Sequence, residues 1–399
     1  MMFTKKTETI LDFGLWISSL IATPWVRKLA LCRSAGLESS RPAQLRRGKR
    51  ESLRQFCCGL ATLSLFALCV GLLAPASVSG AEAKVRVRLA TLAPKDTSFH
   101  KSLQMMGEKW RQTSGDTVNL TIYTDGTMGG EGAMVSRMRV GQIQAAMLTV
   151  AGLLQIDDSV SGLQLMPMMF RSLDEFDYVR EKLRPKLEKR FLDKGFVVLF
   201  WGDAGWVRFF SKHPAVHPDD FKKMKMFVSA GDTRSVEVMK AVGINPVPLE
   251  QTDVLTGLQT GLIDAVPSVP FYALAGQFYG PTPYMLEVNW VPLVGATVVT
   301  KKTWDSISPA LRDALLKAAA EAGEQIKQRS RAESLESVAA MQKRGLKVQV
   351  LSPDIQTEWN KFADVVYPQI RGKVVPSEMF DEVQRLVSEY RASGGKSKP

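Results

Sequence analysis

The chain has 399 residues, of which 45% are hydrophobic and 23% charged, a globular composition that excludes a disordered or collagen-like chain. The formal net charge of +12 invites a nucleic-acid partner until it is divided along the chain. Residues 1–81 hold 11 Lys and Arg against 4 Asp and Glu, and the other 318 residues hold 41 against 36. The excess base belongs largely to the leader, so no nucleic-acid partner is expected. All four cysteines (Cys32, Cys57, Cys58, Cys69) lie in that leader too, which excludes a disulfide scaffold or cysteine-based zinc site in the rest.

Phe56 to Ala76 is a continuous apolar run. The basic stretch Arg46, Arg47, Lys49, Arg50 and Arg54 precedes it, and Ser79-Gly80-Ala81 follows with small residues spaced for signal peptidase. This pattern predicts an export signal. Left uncleaved it would be a membrane anchor, since about 20 apolar residues span a bilayer, and either way the main body is exported to the periplasm. Phe66-Ala67-Leu68 stands before Cys69 in place of a lipoprotein box.

From Lys84 short apolar strands alternate with amphipathic helices, the signature of an α/β fold. Val85, Val87 and Leu89 predict a strand ending at Pro94. A helix beginning near Thr97 and Ser98 places Phe99, Leu103, Met106 and Trp110 on one face. Strand Val118, Leu120, Ile122 follows, then a glycine-rich turn at 126–132, a helix carrying Met134 and Met138, and strand 145–150. Ser172 and Glu175 have capping-box spacing ahead of Phe176, Val179, Leu183 and Leu187, in a helix that Pro185 should break or kink. Met138, Gly141, Ile143 and Ala145 are echoed 120 residues later by Leu258, Gly261, Ile263 and Ala265, which predicts two lobes of similar topology with a ligand cleft between them. Residues 309–345 have no internal Pro after Pro309 and predict one helix of roughly 50 Å that braces both lobes.

Motifs of chemistry are scarce. His213 and His217 flank Pro214 in a turn, and no Cys or carboxylate cluster accompanies them. There is no G-x-S-x-G, H-E-x-x-H or G-x-x-x-x-G-K-[ST]. Gly126, Gly129, Gly130 and Gly132 lack the lysine of a phosphate cradle and read as a turn opening a helix. Asp219-Asp220 reads as a helix cap, and the basic stretch 182–194, interleaved with Glu181, Glu188 and Asp193, as a solvated helix face.

Several segments together resemble the periplasmic solute-binding subunit of TRAP (tripartite ATP-independent periplasmic) transporters of the dicarboxylate type. LATLAPKDTSFHK (89–101), TIYTDGTMGGE (121–131), RVGQIQAA (139–146) and LMPMMFRS (165–172) are followed by KGFVVLFWGDAGWVRFFSKHP (194–214), HPDDFKKMKMFV (217–228) and GINPVPLEQTDVLTGLQTGLIDAV (243–266). Their order and spacing are the family's, from about Val85 to Ala320. The resemblance implies a two-lobed α/β periplasmic solute-binding protein with a long C-terminal bracing helix and a small organic solute closed in the cleft by a hinge. It also implies delivery to TRAP membrane permease subunits, with no catalysis and no cofactor. On this reading 82–204 plus about 293–332 form lobe I, and 205–292 plus about 333–392 form lobe II.

The departures from the family bear on the ligand. Phe227 stands where the family carries the Arg that forks onto a substrate carboxylate. Asp264-Ala265-Val266-Pro267-Ser268 replaces its Asp-Gly-x-Glu-Asn, putting Ser268 at the Asn. Gly205-Trp206-Val207 falls where Gly-aromatic-Arg is common, with Arg208 one residue late, a shift that turns a strand side chain to the other face. A carboxylate buried without a partner costs several kcal/mol, so the expected solute is apolar or amphipathic. Phe227, Trp206, Met166, Met168 and Met169 stand at or near family cleft positions, core packing being the alternative role for each. Arg208 and Arg234 are the candidates for a relocated clamp. Two other readings stay open: a ligand-presenting scaffold docking a tetratricopeptide-repeat partner, and a periplasmic enzyme on the same lobes.

Overall fold

The computed structural model describes residues 84–395; the expected export signal lies outside the described residues. β1 (Val85–Thr91) buries Val87 and Leu89, as their period of two requires. α1 (Ser98–Thr113) starts at Thr97, whose side chain accepts from the His100 N–H, and buries Leu103, Met106 and Trp110 on one face. β2 (Val118–Tyr123), α2 (Glu131–Arg139) and β3 (Ala145–Thr149) complete a first run in which β2 and β3 both pair parallel with β1. α3 (Val150–Leu153), a 3-10 turn at Asp158–Leu163 and α4 (Leu173–Asp193) lead into β4 (Phe196–Trp206).

Ser172 caps α4, its Oγ accepting from the Glu175 N–H at 3.1 Å. Pro185 does not end the helix as the sequence suggested. Phe176, Val179 and Leu183 before it and Leu187 and Phe191 after it are all buried, and Arg184 pairs with Glu188 across it. Burying side chains of this size contributes about 1.5–3 kcal/mol each, which together exceeds the roughly 3 kcal/mol a helical proline costs.

The second lobe is assembled from β5 (Arg208–Ser211), α5 (Pro218–Lys222), β6 (Lys225–Ser229), α6 (Thr233–Ala241), β7 (Asn245–Leu249), α7 (Val254–Thr260), β8 (Ala265–Ser268), α8 (Pro270–Ala275) and β9 (Tyr284–Glu287). β10 (Pro292–Thr300) returns to the first sheet, antiparallel between β3 and β4. α9 (Lys301–Asp305), α10 (Pro309–Gln342), β11 (Lys347–Val350), α11 (Pro353–Ile370) and α12 (Ser377–Ala392) follow. The strand orders are β2-β1-β3-β10-β4 and β11-β9-β5-β8-β6-β7, so the chain passes between sheets at β4–β5, β9–β10 and β10–β11. As expected of a cap, the Asp220 carboxylate at α5 accepts from the Val216 and His217 N–H groups.

The internal echo is structural. Gly141 after α2 and Gly261 after α7 both adopt left-handed φ, 75° and 77°, the conformation that ends a helix cheaply only at glycine. Each amide donates to the carbonyl three residues back, Met138 or Leu258. Ile143 and Ile263 are then buried as the chain enters β3 and β8.

α10 has 34 residues, about 51 Å at 1.5 Å per residue. It packs on α1 and β4 of the first lobe and on α8 of the second. Trp110 Nε1 donates to Leu315 O at 2.9 Å, and Arg331 on α10 bridges Asp177 of α4 and the buried Asp203 of β4. α12, assigned to lobe II by the sequence reading, packs against α4 and the 3-10 turn. Among the described residues no helix is long and apolar enough to cross a membrane.

Candidate ligand-binding cleft

The carboxyl ends of parallel strands β1 and β3 in one sheet, and of β6 and β8 in the other, open on the same gap, the place where open α/β sheets bind ligands. The gap holds two chambers that share Leu92, Glu131, Thr149, Tyr272 and Leu293 as walls. An inner chamber of about 120 Å³ lies against Pro94, Phe99, Phe200, Phe271 and Ile326. Phe99 of α1 meets Phe271 of α8 across it with ring centroids 5.5 Å apart, so the lobes touch. An outer chamber of about 210 Å³ is walled by Phe227, Val238, Met239, Pro267, Trp290 and Val291.

Among the described residues no lysine, arginine or histidine lines either chamber, and the charged groups there are Glu131, Asp203 and Asp232. Asp203 is neutralised from behind by Arg331, and Arg180 stands beside it. Glu131, the first residue of α2, accepts from Thr149 N (2.6 Å), Thr149 Oγ1 (2.7 Å) and Gly152 N (2.8 Å). A Cβ at residue 152 would lie 2.8 Å from Glu131 Cβ, so only glycine admits the carboxylate here. Asp232 caps α6, accepting from Ser235 N at 2.9 Å and Ser235 Oγ at 2.6 Å. Burial pushes both carboxyls above their ordinary range despite these bonds, and the Asp232 charge pushes Glu131 further. Tyr272 is pushed up to about 12 by burial, opposed by the neighbouring Gln251 side chain. Such a cleft offers apolar contact and hydrogen-bond acceptors, and no cation for an anionic group.

Residues 89–373 match the family model of the bacterial extracellular solute-binding proteins, family 7. The chain belongs to this family. It is 26% identical over 265 residues to the 2,3-diketo-L-gulonate-binding periplasmic protein of Escherichia coli K12, covering 65% of this chain and 78% of that one. Over 303 residues it is 24% identical to the C4-dicarboxylate-binding periplasmic protein of Rhodobacter capsulatus, covering 75% and 90%. Its fold matches TRAP periplasmic solute-binding proteins from Xanthobacter autotrophicus Py2, solved with β-D-galacturonate (TM-score 0.70, 19% identity, 76% and 99% covered), and from Desulfovibrio salexigens, solved with orotic acid (TM-score 0.71, 17% identity, 78% and 99% covered).

In this TRAP-type solute-binding protein, the residues singled out by sequence are only partly gathered. Phe227 and Ser268 line the outer chamber. Val207 lines it as well, whereas Arg208 is absent from both walls and its guanidinium donates to Asn289 Oδ1. Trp206 pairs with Pro292 on β10 and packs, half-buried, on the core outside the chambers. Met168 has φ 54° and faces, with Met169, a separate polar groove beside α11 and α12; Met166 is buried in the core. Arg234 donates to the Val374 carbonyl and to Asp158 Oδ2, joining α6 to the 3-10 turn and the α11–α12 connection. The sequence reading passed over Glu131 and Asp232. Glu131 was inside the quoted Gly-Gly-Glu turn, and its position after Gly129 and Gly130 was the signal available.

Proposed function

We propose that this chain is exported to the periplasm, where it receives an apolar or amphipathic organic solute in the interlobe cleft and delivers it to TRAP membrane permease subunits, without turnover. The observation that carries the reading is the wall chemistry: among the described residues both chambers are lined mainly by aromatic and aliphatic side chains with acids and hydroxyls between them, and neither has a basic side chain. A small dicarboxylate seated there would surrender its hydration for no charge-assisted hydrogen bond, at a cost of several kcal/mol. Phe227 at the family's clamp position and Val207 in place of an arginine support the same reading. The reading without turnover is supported by the family, whose relatives are named as solute-binding proteins.

Thermal shifts of the mature chain with succinate, galacturonate, and a series of medium-chain alcohols and amines test the proposal. Stabilisation by the apolar series alone is expected. A large shift with succinate or galacturonate contradicts it.

A further inference from the structure

Resting on the apolar-cleft reading, we propose that the solute carries a basic amine on its apolar body and that Asp232 and Glu131 receive the ammonium group in the outer chamber. Both carboxylates border the outer chamber, and Glu131 borders the inner one too. Each retains acceptor capacity: Asp232 receives one hydrogen bond on each oxygen, and Glu131 Oε1 receives one. An ammonium offers three donors and a full positive charge to such a pair.

The charge balance selects between head groups. Asp203, the third acid on the walls, already has Arg331. Arg234 attracts Asp232, but its guanidinium is engaged by Val374 O and Asp158. Among the described residues Glu131 forms no ion pair, and burial and then the charge of Asp232 raise its pKa. A ligand that brings a positive charge stabilises the ionised form of these two desolvated carboxyls. A ligand carboxylate would disfavour that form further, and a neutral hydroxyl would satisfy an acceptor without bringing a charge. Gln251 and Tyr272 line the same chamber and continue the polar patch beside the acids.

Isothermal titration of the mature chain with decylamine, decanol and decanoate, below their micelle-forming concentrations, holds the tail constant and varies the head. Decylamine is expected to bind about tenfold more tightly than decanol, and decanoate most weakly. Asp232→Asn keeps a good helix cap and is expected to reduce the amine-over-alcohol ratio to about threefold or less; Glu131→Gln supplies the same comparison should the first variant fold poorly. Decanoate binding as tightly as decylamine, or a ratio unchanged in a folded variant, overturns the amine assignment and leaves the apolar cleft standing. Failure of all three compounds to bind overturns both.

Discussion

Phe227 and Asp232 lie five residues apart at the carboxyl end of β6 and state the chemistry of the outer chamber between them. Phe227 is 6% exposed and belongs to the second lobe's apolar cluster as well as to the chamber wall. Phe227→Ala is therefore expected to weaken an apolar solute by about 10- to 100-fold, from the 1.5–3 kcal/mol of lost burial. It also lowers unfolding stability by about 2–4 kcal/mol, the cost of a core cavity; titration and denaturant unfolding read the two effects separately. Asp232 gives a pH prediction whose sign follows from linkage. Its folded pKa is raised above the ordinary value of 3.8, so the folded state holds its proton more tightly and stability falls as pH rises through that window. Glu131, raised by burial and by Asp232, contributes with the same sign, and Arg234 opposes it at Asp232. The melting temperature of ligand-free Asp232→Asn should rise relative to the parent as pH increases from about 4 to 7. A difference independent of pH contradicts the strained carboxylate. Asp232 was not legible in the sequence because a capping Asp is ordinary; its interest comes from burial in a wall built by β8, α6 and the first lobe, which no local spacing encodes.

At the scale of elements, the strands and their echo were readable because each is specified within a few residues. Alternation marks β1, and a glycine that tolerates left-handed φ marks the exits of α2 and α7. Pro185 was misleading because tertiary burial along α4 outweighs a local rule. Arg234 shows the same limit at the site: its role is set by which element α6 approaches. Together with the Gln155 Nε2 to Gly231 O bond at 3.5 Å, its contact with Asp158 ties α6 to the first lobe. Arg234→Ala is expected to speed release of a bound solute by about three- to tenfold, from roughly 1 kcal/mol of partly exposed pairing, measured by stopped-flow fluorescence. An unchanged rate would show that this contact does not hold the cleft shut. Gly323 permits another close approach, since a Cβ there would stand 2.7–2.8 Å from Phe200 on β4. Phe200 in turn lines the inner chamber. Gly323→Ala should lower stability by about 1–3 kcal/mol through overpacking and weaken solute binding as the ring is displaced, both readable by unfolding and titration.

Across the whole molecule, two sheets linked at β4–β5, β9–β10 and β10–β11 and bridged by α10 bring four strand ends to one gap. The family supplies this frame, and the individual walls set what it accepts. The frame was legible because long apolar periodicities and an ordered set of segments carry it. The polarity of the gap was only half legible: Phe227 and Ser268 could be placed there from the family resemblance, while the paired acids and the missing bases emerge only when both lobes are assembled. The central claim is that this gap takes an apolar body in place of a small dicarboxylate. Native mass spectrometry of the mature protein isolated from the periplasm, followed by identification of the released solute, tests that claim most directly. The account predicts an apolar or amphipathic molecule; a small dicarboxylate or a sugar acid in the cleft would contradict it.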